Sequence, residues 1–182
     1  MKKLQRASLL LSLIEAMKRQ GSWCGETSIQ KAVYFLQEMV GIPTGFEFLL
    51  YKYGPYSFDL TDELTALRAD AILTLEVRDP RYGPSFAPGE LAALVKERFA
   101  KTINRYRDHV EWVAGRLGNR NVAELERLST ALYVRLHNAG ASTENRSAQL
   151  LRLKPHVRPD DAEKAIIEVD QMAEDAEALQ AQ

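Results

Sequence analysis

Apolar residues recur every three or four positions through most of the chain, which predicts a mainly helical protein. The repeat begins near the N-terminus, where it indicates an amphipathic first helix of a folded domain. A signal peptide is not expected there, because the apolar run is short and charged residues follow it at once. A second helix is predicted over residues 26–40, ended by Gly41 and Pro43. Its apolar stripe consists of Ile29, Val33, Leu36 and Val40.

Two segments break the helical repeat and predict strands. Residues 46–53 are aromatic and apolar without interruption, and residues 71–77 alternate between apolar and polar. Residues 82–86 are expected to return as the partner of the second strand, after turns at Asp79-Pro80 and Gly83-Pro84. Ser57 is expected to cap a third helix. Pro88 is predicted at the first position of the next helix, which runs to about residue 100.

The second half of the chain is predicted to be all helix. One helix carries an apolar stripe and ends at Gly118, and Asn121 with Glu124 forms a capping-box pattern for the next. A short helix is expected over residues 144–153, and a final one begins at Pro159. Residues 1–100 therefore form a winged-helix-like core, since helices followed by a hairpin have the order of a winged helix. Residues 101–182 form a helical extension packed on that core as one unit.

Composition fits a soluble domain and excludes little more. The chain has 182 residues, 46% of them hydrophobic, and a net charge of -1, so no overall field draws it to nucleic acid or membrane. The single cysteine, Cys24, excludes an internal disulfide and suits the reducing cytoplasm. No apolar run approaches the roughly 20 residues that span a bilayer.

Motifs for catalysis or cofactor binding are missing from the sequence. The three histidines are far apart and have no cysteine or histidine at ligand spacing, so no metal site is predicted. There is no nucleophile elbow, phosphate-binding loop or dinucleotide fingerprint. The sequence therefore predicts a protein that is not an enzyme and carries no cofactor.

Charge is distributed unevenly, which leaves a nucleic-acid-binding alternative open. Basic residues around the predicted fifth helix could follow a phosphate backbone, as could the wing residues Arg78 and Arg81. The predicted contacts are Arg98, Lys101, Arg105 and Arg116. The second helix carries a single basic residue, Lys31, which argues against this helix reading DNA bases. The last helix is strongly acidic and could pack on a basic patch of this chain or of a partner.

Three segments resemble the signatures of the Panacea domain and of its YwgA-like relatives. TSIQKAVYFLQ, residues 27–37, is similar to the first signature, in which Gln-Lys precedes an aromatic pair. YGPYS, residues 53–57, followed by Leu60, is similar to the second. LKPH, residues 153–156, followed by an acidic helix, resembles the C-terminal end of the YwgA-like group. The resemblance runs across nearly the whole chain.

The resemblance implies that YGPYS is a fixed turn between a strand and the third helix. It also implies a non-catalytic protein-binding module, because Panacea-type proteins act as antitoxins that neutralise a toxin by binding it or delivering it to a protease. The expected partner is a toxin or defence effector. The expected partner-binding residues are Lys31, Tyr34, Tyr53, Tyr56 and Ser57. The alternative is a winged-helix DNA-binding transcriptional regulator, and a homodimer is possible for either.

Overall fold

The first helix lies at the centre of the fold. In a computed structural model that describes residues 1–77, 79 and 82–180, α1 spans Lys3–Arg19. Its buried residues are not confined to one stripe: they are Ala7, Ser8, Leu9, Leu10, Leu11, Leu13, Ile14, Ala16 and Met17. The sequence pattern identified the helix but not its burial on several sides, which comes from elements distant in the chain.

Within the described residues, seven further helices and two hairpins follow α1. The first half contains α2 Glu26–Glu38, β1 Leu49–Tyr51, β2 Gly54–Tyr56, α3 Phe58–Ala69, β3 Leu73–Glu76, β4 Ser85–Pro88 and α4 Ala92–Arg98. The second half contains α5 Ala100–Leu117, α6 Val122–His137, α7 Thr143–Leu153 and α8 Pro159–Gln180. Each hairpin, β1–β2 and β3–β4, is antiparallel. The predicted class, mainly helical with a small hairpin, is confirmed.

Local sequence signals placed several helix ends correctly. The Ser57 hydroxyl accepts a hydrogen bond from the Leu60 N–H at the start of α3. Asn121 and Glu124 form the predicted capping box of α6. Gly118 follows the last residue of α5, and α8 begins at Pro159.

The prediction that Pro88 opens a helix is wrong, because Pro88 is the last residue of β4. Backbone hydrogen bonds explain the difference. The Gly89 N–H donates to the Ile72 carbonyl at 2.9 Å, and the Leu91 N–H donates to the Ala71 carbonyl at 3.0 Å. These two bonds hold the residues after β4 against the residues before β3. The next helix, α4, therefore begins only at Ala92.

Packing joins the two halves of the chain. α5 packs along α1, α6 packs on α2, and both α7 and α8 pack on α6. A single cluster of buried apolar side chains includes residues from both sides of residue 100. Within the described residues, no helix is both long enough and apolar enough to cross a bilayer.

The contact between the ends of α1 and α5 gives a test of this packing. A Cβ added at Gly118 would lie 2.4 Å from the Gln20 Cβ, whereas one added at Gly115 would meet nothing within 4 Å. We expect Gly118→Ala to lower the free energy of unfolding by about 1–3 kcal/mol through overpacking. Gly115→Ala, on the exposed face of the same helix, should raise it by up to about 1 kcal/mol. Urea unfolding followed by circular dichroism measures both, and equal effects would contradict the packing.

Candidate functional site

The three segments that carry the family resemblance meet at the β1–β2 hairpin. Gln30 and Lys31 come from α2, residues 54–57 form β2 and its exit, and Lys154 follows α7. All of these make hydrogen bonds to or within the hairpin region. Motifs that are distant in the sequence therefore form one contiguous structure.

Two glutamines of α2 bind the backbone on either side of the hairpin. The Gln30 amide donates to the Ser57 carbonyl at 2.8 Å and accepts from the Ser57 N–H at 2.9 Å. The Gln37 amide donates to the Phe46 carbonyl at 2.9 Å and accepts from the Phe46 N–H at 3.0 Å. Residues seven apart lie on the same face of a helix. Each side-chain amide thus pairs with a backbone residue as a neighbouring strand would.

Two buried lysines bind carbonyl groups of the hairpin itself. The Lys31 ammonium donates to the Pro55 carbonyl at 2.8 Å, and the Lys154 ammonium donates to the Lys52 carbonyl. The Lys154 ammonium also lies 2.7 Å from Oε1 of Glu126 on α6, an ion pair without the alignment of a hydrogen bond. The pKa of Lys31 is lowered to about 8, mainly by burial and further by the charge of Lys154, while Glu126 opposes the shift.

Gly54 lets the hairpin lie directly on α6. Its φ is +89°, in the left-handed region, and a Cβ there would be 3.0 Å from Ser129 Oγ and 3.2 Å from Thr130 Oγ1. Pro55 follows in β2 opposite Leu50, and its carbonyl is the one that Lys31 binds. The Gly-Pro-Tyr part of YGPYS is thus a strand, and the interpretation of the whole motif as a turn is wrong.

The structure separates the five residues predicted to form a partner-binding surface. Lys31, Tyr34 and Ser57 are 1%, 3% and 0% exposed, so the expectation that they line an open surface is wrong for these three. Their roles are internal: Tyr34, for example, packs its ring 5.0 Å from that of Phe48, and burial raises its pKa. Tyr53 is exposed at the hairpin turn and Tyr56 is half-buried.

A group of partly exposed rings lies where the outer side of the same hairpin meets the start of α3. Tyr51, Tyr56 and Phe58, here called the aromatic surface, have ring centroids 5.1–5.8 Å apart. Tyr51 and Phe58 are 55% and 53% exposed. Sequence reasoning missed Tyr51 because it treated residues 46–53 as one strand, and it also missed Phe58, the first residue of α3. Recognition of Lys52-Tyr53 as a hairpin turn would have placed Tyr51 beside Tyr56.

The Tyr56 side chain is fixed by hydrogen bonds to neighbouring elements. Its hydroxyl donates to Glu26 Oε1 at 2.8 Å and lies 2.6 Å from Thr61 Oγ1. Gln30 donates to the same Thr61 hydroxyl at 3.0 Å. The aromatic surface is therefore connected to the side chains that bind the hairpin backbone.

The residues predicted to contact nucleic acid do not form one free basic face. Arg98, Lys101 and Arg105 are exposed, but Arg116 lies 2.5 Å from Asp175 of the acidic helix α8. Other α8 carboxylates also meet basic residues of this chain. These ion pairs are Arg120 with Glu168, and Arg135 and Arg146 with Asp170. Arg78 and Arg81 lie outside the described residues.

The buried charges are suited to structure rather than to contact with a solute. Lys31, Glu126 and Lys154 are 1%, 6% and 3% exposed. The two lysines bind hairpin carbonyls, and Glu126 lies beside Lys154 and 3.7 Å from the exposed His156 ring. In the part of the chain that the structure describes, no three His, Cys, Asp or Glu side chains are grouped to bind a metal. Cys24 is buried.

Lys31 should give the protein a distinctive stability at alkaline pH. The folded protein loses the Lys31 proton near pH 8, whereas the unfolded chain keeps it up to about pH 10.5. Relative to Lys31→Met, the free energy of unfolding of the parent should therefore rise between these values, by at most about 3 kcal/mol. Urea titrations of both proteins from pH 7 to about pH 10.5 measure this difference, and a constant difference would be the contrary result.

Lys154 should be essential to stability because Glu126 depends on it. Lys154→Met leaves a buried carboxylate without its cation, which costs about 3–5 kcal/mol. Adding Glu126→Gln should recover part of that loss. Lys3→Met is the control, since the Lys3–Asp70 pair is exposed and worth about 0–1 kcal/mol. Urea unfolding of the four proteins tests this, and an equal cost for the two lysines would overturn it.

Comparison with known proteins assigns no family and no function to this site. The chain matches no known protein family, and no curated protein resembles it significantly. The resemblance to the Panacea and YwgA-like signatures stays a prediction.

Proposed function

We propose that this protein is a non-catalytic protein-binding module that presents its aromatic surface to a protein partner. The observation that carries the proposal is the exposure of Tyr51 on a hairpin fixed from beneath and of Phe58 at the adjoining start of α3. Aromatic side chains are enriched at protein interfaces, where they bury large areas. Exposed rings in mutual contact are therefore a suitable centre for an interface.

The fixed hairpin favours tight binding. A two-stranded hairpin alone is at best marginally stable in water, and these strands have three residues each. Here the glutamine and lysine contacts order the backbone before any partner arrives. Binding then costs less conformational entropy than ordering a free loop would.

The resemblance supports the class of partner in this proposal. The segments similar to the Panacea and YwgA-like signatures supply Gln30, Lys31 and Lys154, which bind the hairpin backbone. An antitoxin-like protein would use the aromatic surface to cover and restrain a toxin or defence effector.

DNA binding is the second candidate, favoured by the exposed cations Arg98, Lys101 and Arg105. No ion pair is found for them within the described residues. The pairing of Arg116 with Asp175 removes one of the predicted phosphate contacts. Arg120, Arg135 and Arg146, which lie near α8, are likewise paired with its carboxylates.

The proposal is tested by capture of a partner from the native host followed by measured affinity. The double variant Tyr51→Ala/Phe58→Ala should bind the purified partner at least about tenfold more weakly, because central aromatic residues dominate interface energies. Leu94→Ala is the matched control, since Leu94 is 61% exposed on α4. Interferometry gives both affinities. A partner bound equally by the aromatic double variant would contradict the proposal. Nucleic acid that is released by salt and lost in Lys101→Gln/Arg105→Gln would favour the DNA-binding candidate.

A further inference from the structure

A second candidate site lies away from the aromatic surface, in a cleft between the two halves of the chain. It is bounded by the start of α2, by α3, by the β3–β4 hairpin and by the start of α6. Its volume is about 690 Å³, within the range of small-molecule sites. The lining residues used below are Trp23, Ser28, Arg68, Tyr82, Phe86 and Val122.

The apolar part of the cleft is built around two aromatic rings. Trp23 and Tyr82 lie with ring centroids 5.4 Å apart at an interplanar angle of 54°. The Trp23 indole N–H donates to the Gly83 carbonyl at 2.8 Å, which fixes the ring. Phe86 adds a third ring and is 7% exposed. This wall is suited to a flat apolar group.

Ser28 supplies an unpaired hydroxyl to the cleft. The residue lines the cleft and is only 5% exposed. Its hydroxyl makes no hydrogen bond within the described residues, and it is not among the side-chain atoms that are both enclosed and unpaired, so it can be reached from the cleft. The Ser28 hydroxyl is thus available to a bound molecule.

The first turn of α2 lines the same cleft. Ser28 lies in the first turn of α2, which has no side-chain cap at Gly25, so its first N–H groups are open to an anion. The carboxylate of Glu26 also lines the cleft, and its Oε1 accepts hydrogen bonds from the hydroxyls of Tyr56 and Thr61, which hold it on the side of the aromatic surface. The open N–H groups of α2 and the Ser28 hydroxyl can therefore donate hydrogen bonds to an anion.

Arg68 is the cation available to such a ligand. It lines the cleft, is exposed, and forms no ion pair within the described residues. Arg120, also at the cleft, lies 2.5 Å from Glu168 and 3.5 Å from Glu124, so its charge is balanced. A guanidinium can bind a carboxylate or phosphate through two parallel N–H donors.

We propose that this cleft binds a small aromatic anion, with its ring against Trp23 and Phe86 and its anionic group near Ser28 and Arg68. A carboxylate, sulfonate or phosphate would satisfy the same groups. The site is distinct from the aromatic surface and does not depend on the protein-binding proposal.

Two fluorescent probes that differ in charge test this. Anilinonaphthalene sulfonate carries an aromatic body and an anion, and N-phenylnaphthylamine has the same body without the anion. Both probes should bind the full-length protein saturably. Val122→Trp should abolish the binding of both probes, because the larger side chain fills the cleft. Val122 is 52% exposed at the start of α6, so this variant should stay folded; circular dichroism checks that.

The charge requirement is tested with matched arginine variants. Arg68→Gln should lower the affinity for the sulfonate probe by about tenfold, which is the effect of losing one charge-assisted contact. The affinity for the neutral probe should change less than twofold. Arg152→Gln is the control, because Arg152 is an exposed arginine in the last turn of α7, as Arg68 is in α3. The proposal is overturned if neither probe binds saturably, if Val122→Trp leaves binding intact, or if Arg68→Gln affects both probes equally.

Discussion

The attachment of the β1–β2 hairpin to α2 through backbone hydrogen bonds is the constraint on which the site depends. Gln30 and Gln37 each bind both polar groups of one backbone residue, and Lys31 binds the Pro55 carbonyl between them. Because these contacts go to the backbone, they order the hairpin without using its outward side chains. Tyr51 can therefore remain exposed, with Phe58 of α3 beside it, while the strands are fixed from beneath.

Buried charge is the cost of this arrangement. Burial disfavours the Lys31 ammonium, as its lowered pKa shows, and Glu126 would be strongly unfavourable without Lys154 beside it. Gly54 adds a second constraint, since any side chain at its positive φ would approach α6 too closely. The Gln-Lys, Gly-Pro and Lys-Pro elements of the motifs thus have a common structural explanation.

Features set by neighbouring residues could be predicted from the sequence, and features set by distant contacts could not. The caps at Ser57 and Asn121 follow from local hydrogen bonding and were predicted. Pro88 was misplaced because bonds to Ala71 and Ile72 extend the chain past it. Strands of three residues carry too little periodicity to reveal the hairpin. Nothing local to Lys31 indicates burial, and the cleft joins Trp23 and Tyr82 from distant segments.

The most direct test of the account is amide hydrogen exchange of the hairpin in Gln30→Leu/Lys31→Met, read by nuclear magnetic resonance. If α2 orders the hairpin, the Tyr51 and Tyr56 amides of the variant should exchange at least about tenfold faster than those of the parent. The exchange rates of the α1 amides should change little. Gln171→Leu, on the exposed side of α8, should change neither. Unchanged hairpin protection, or an equal loss in α1 and the hairpin, would contradict the claim that α2 orders this hairpin.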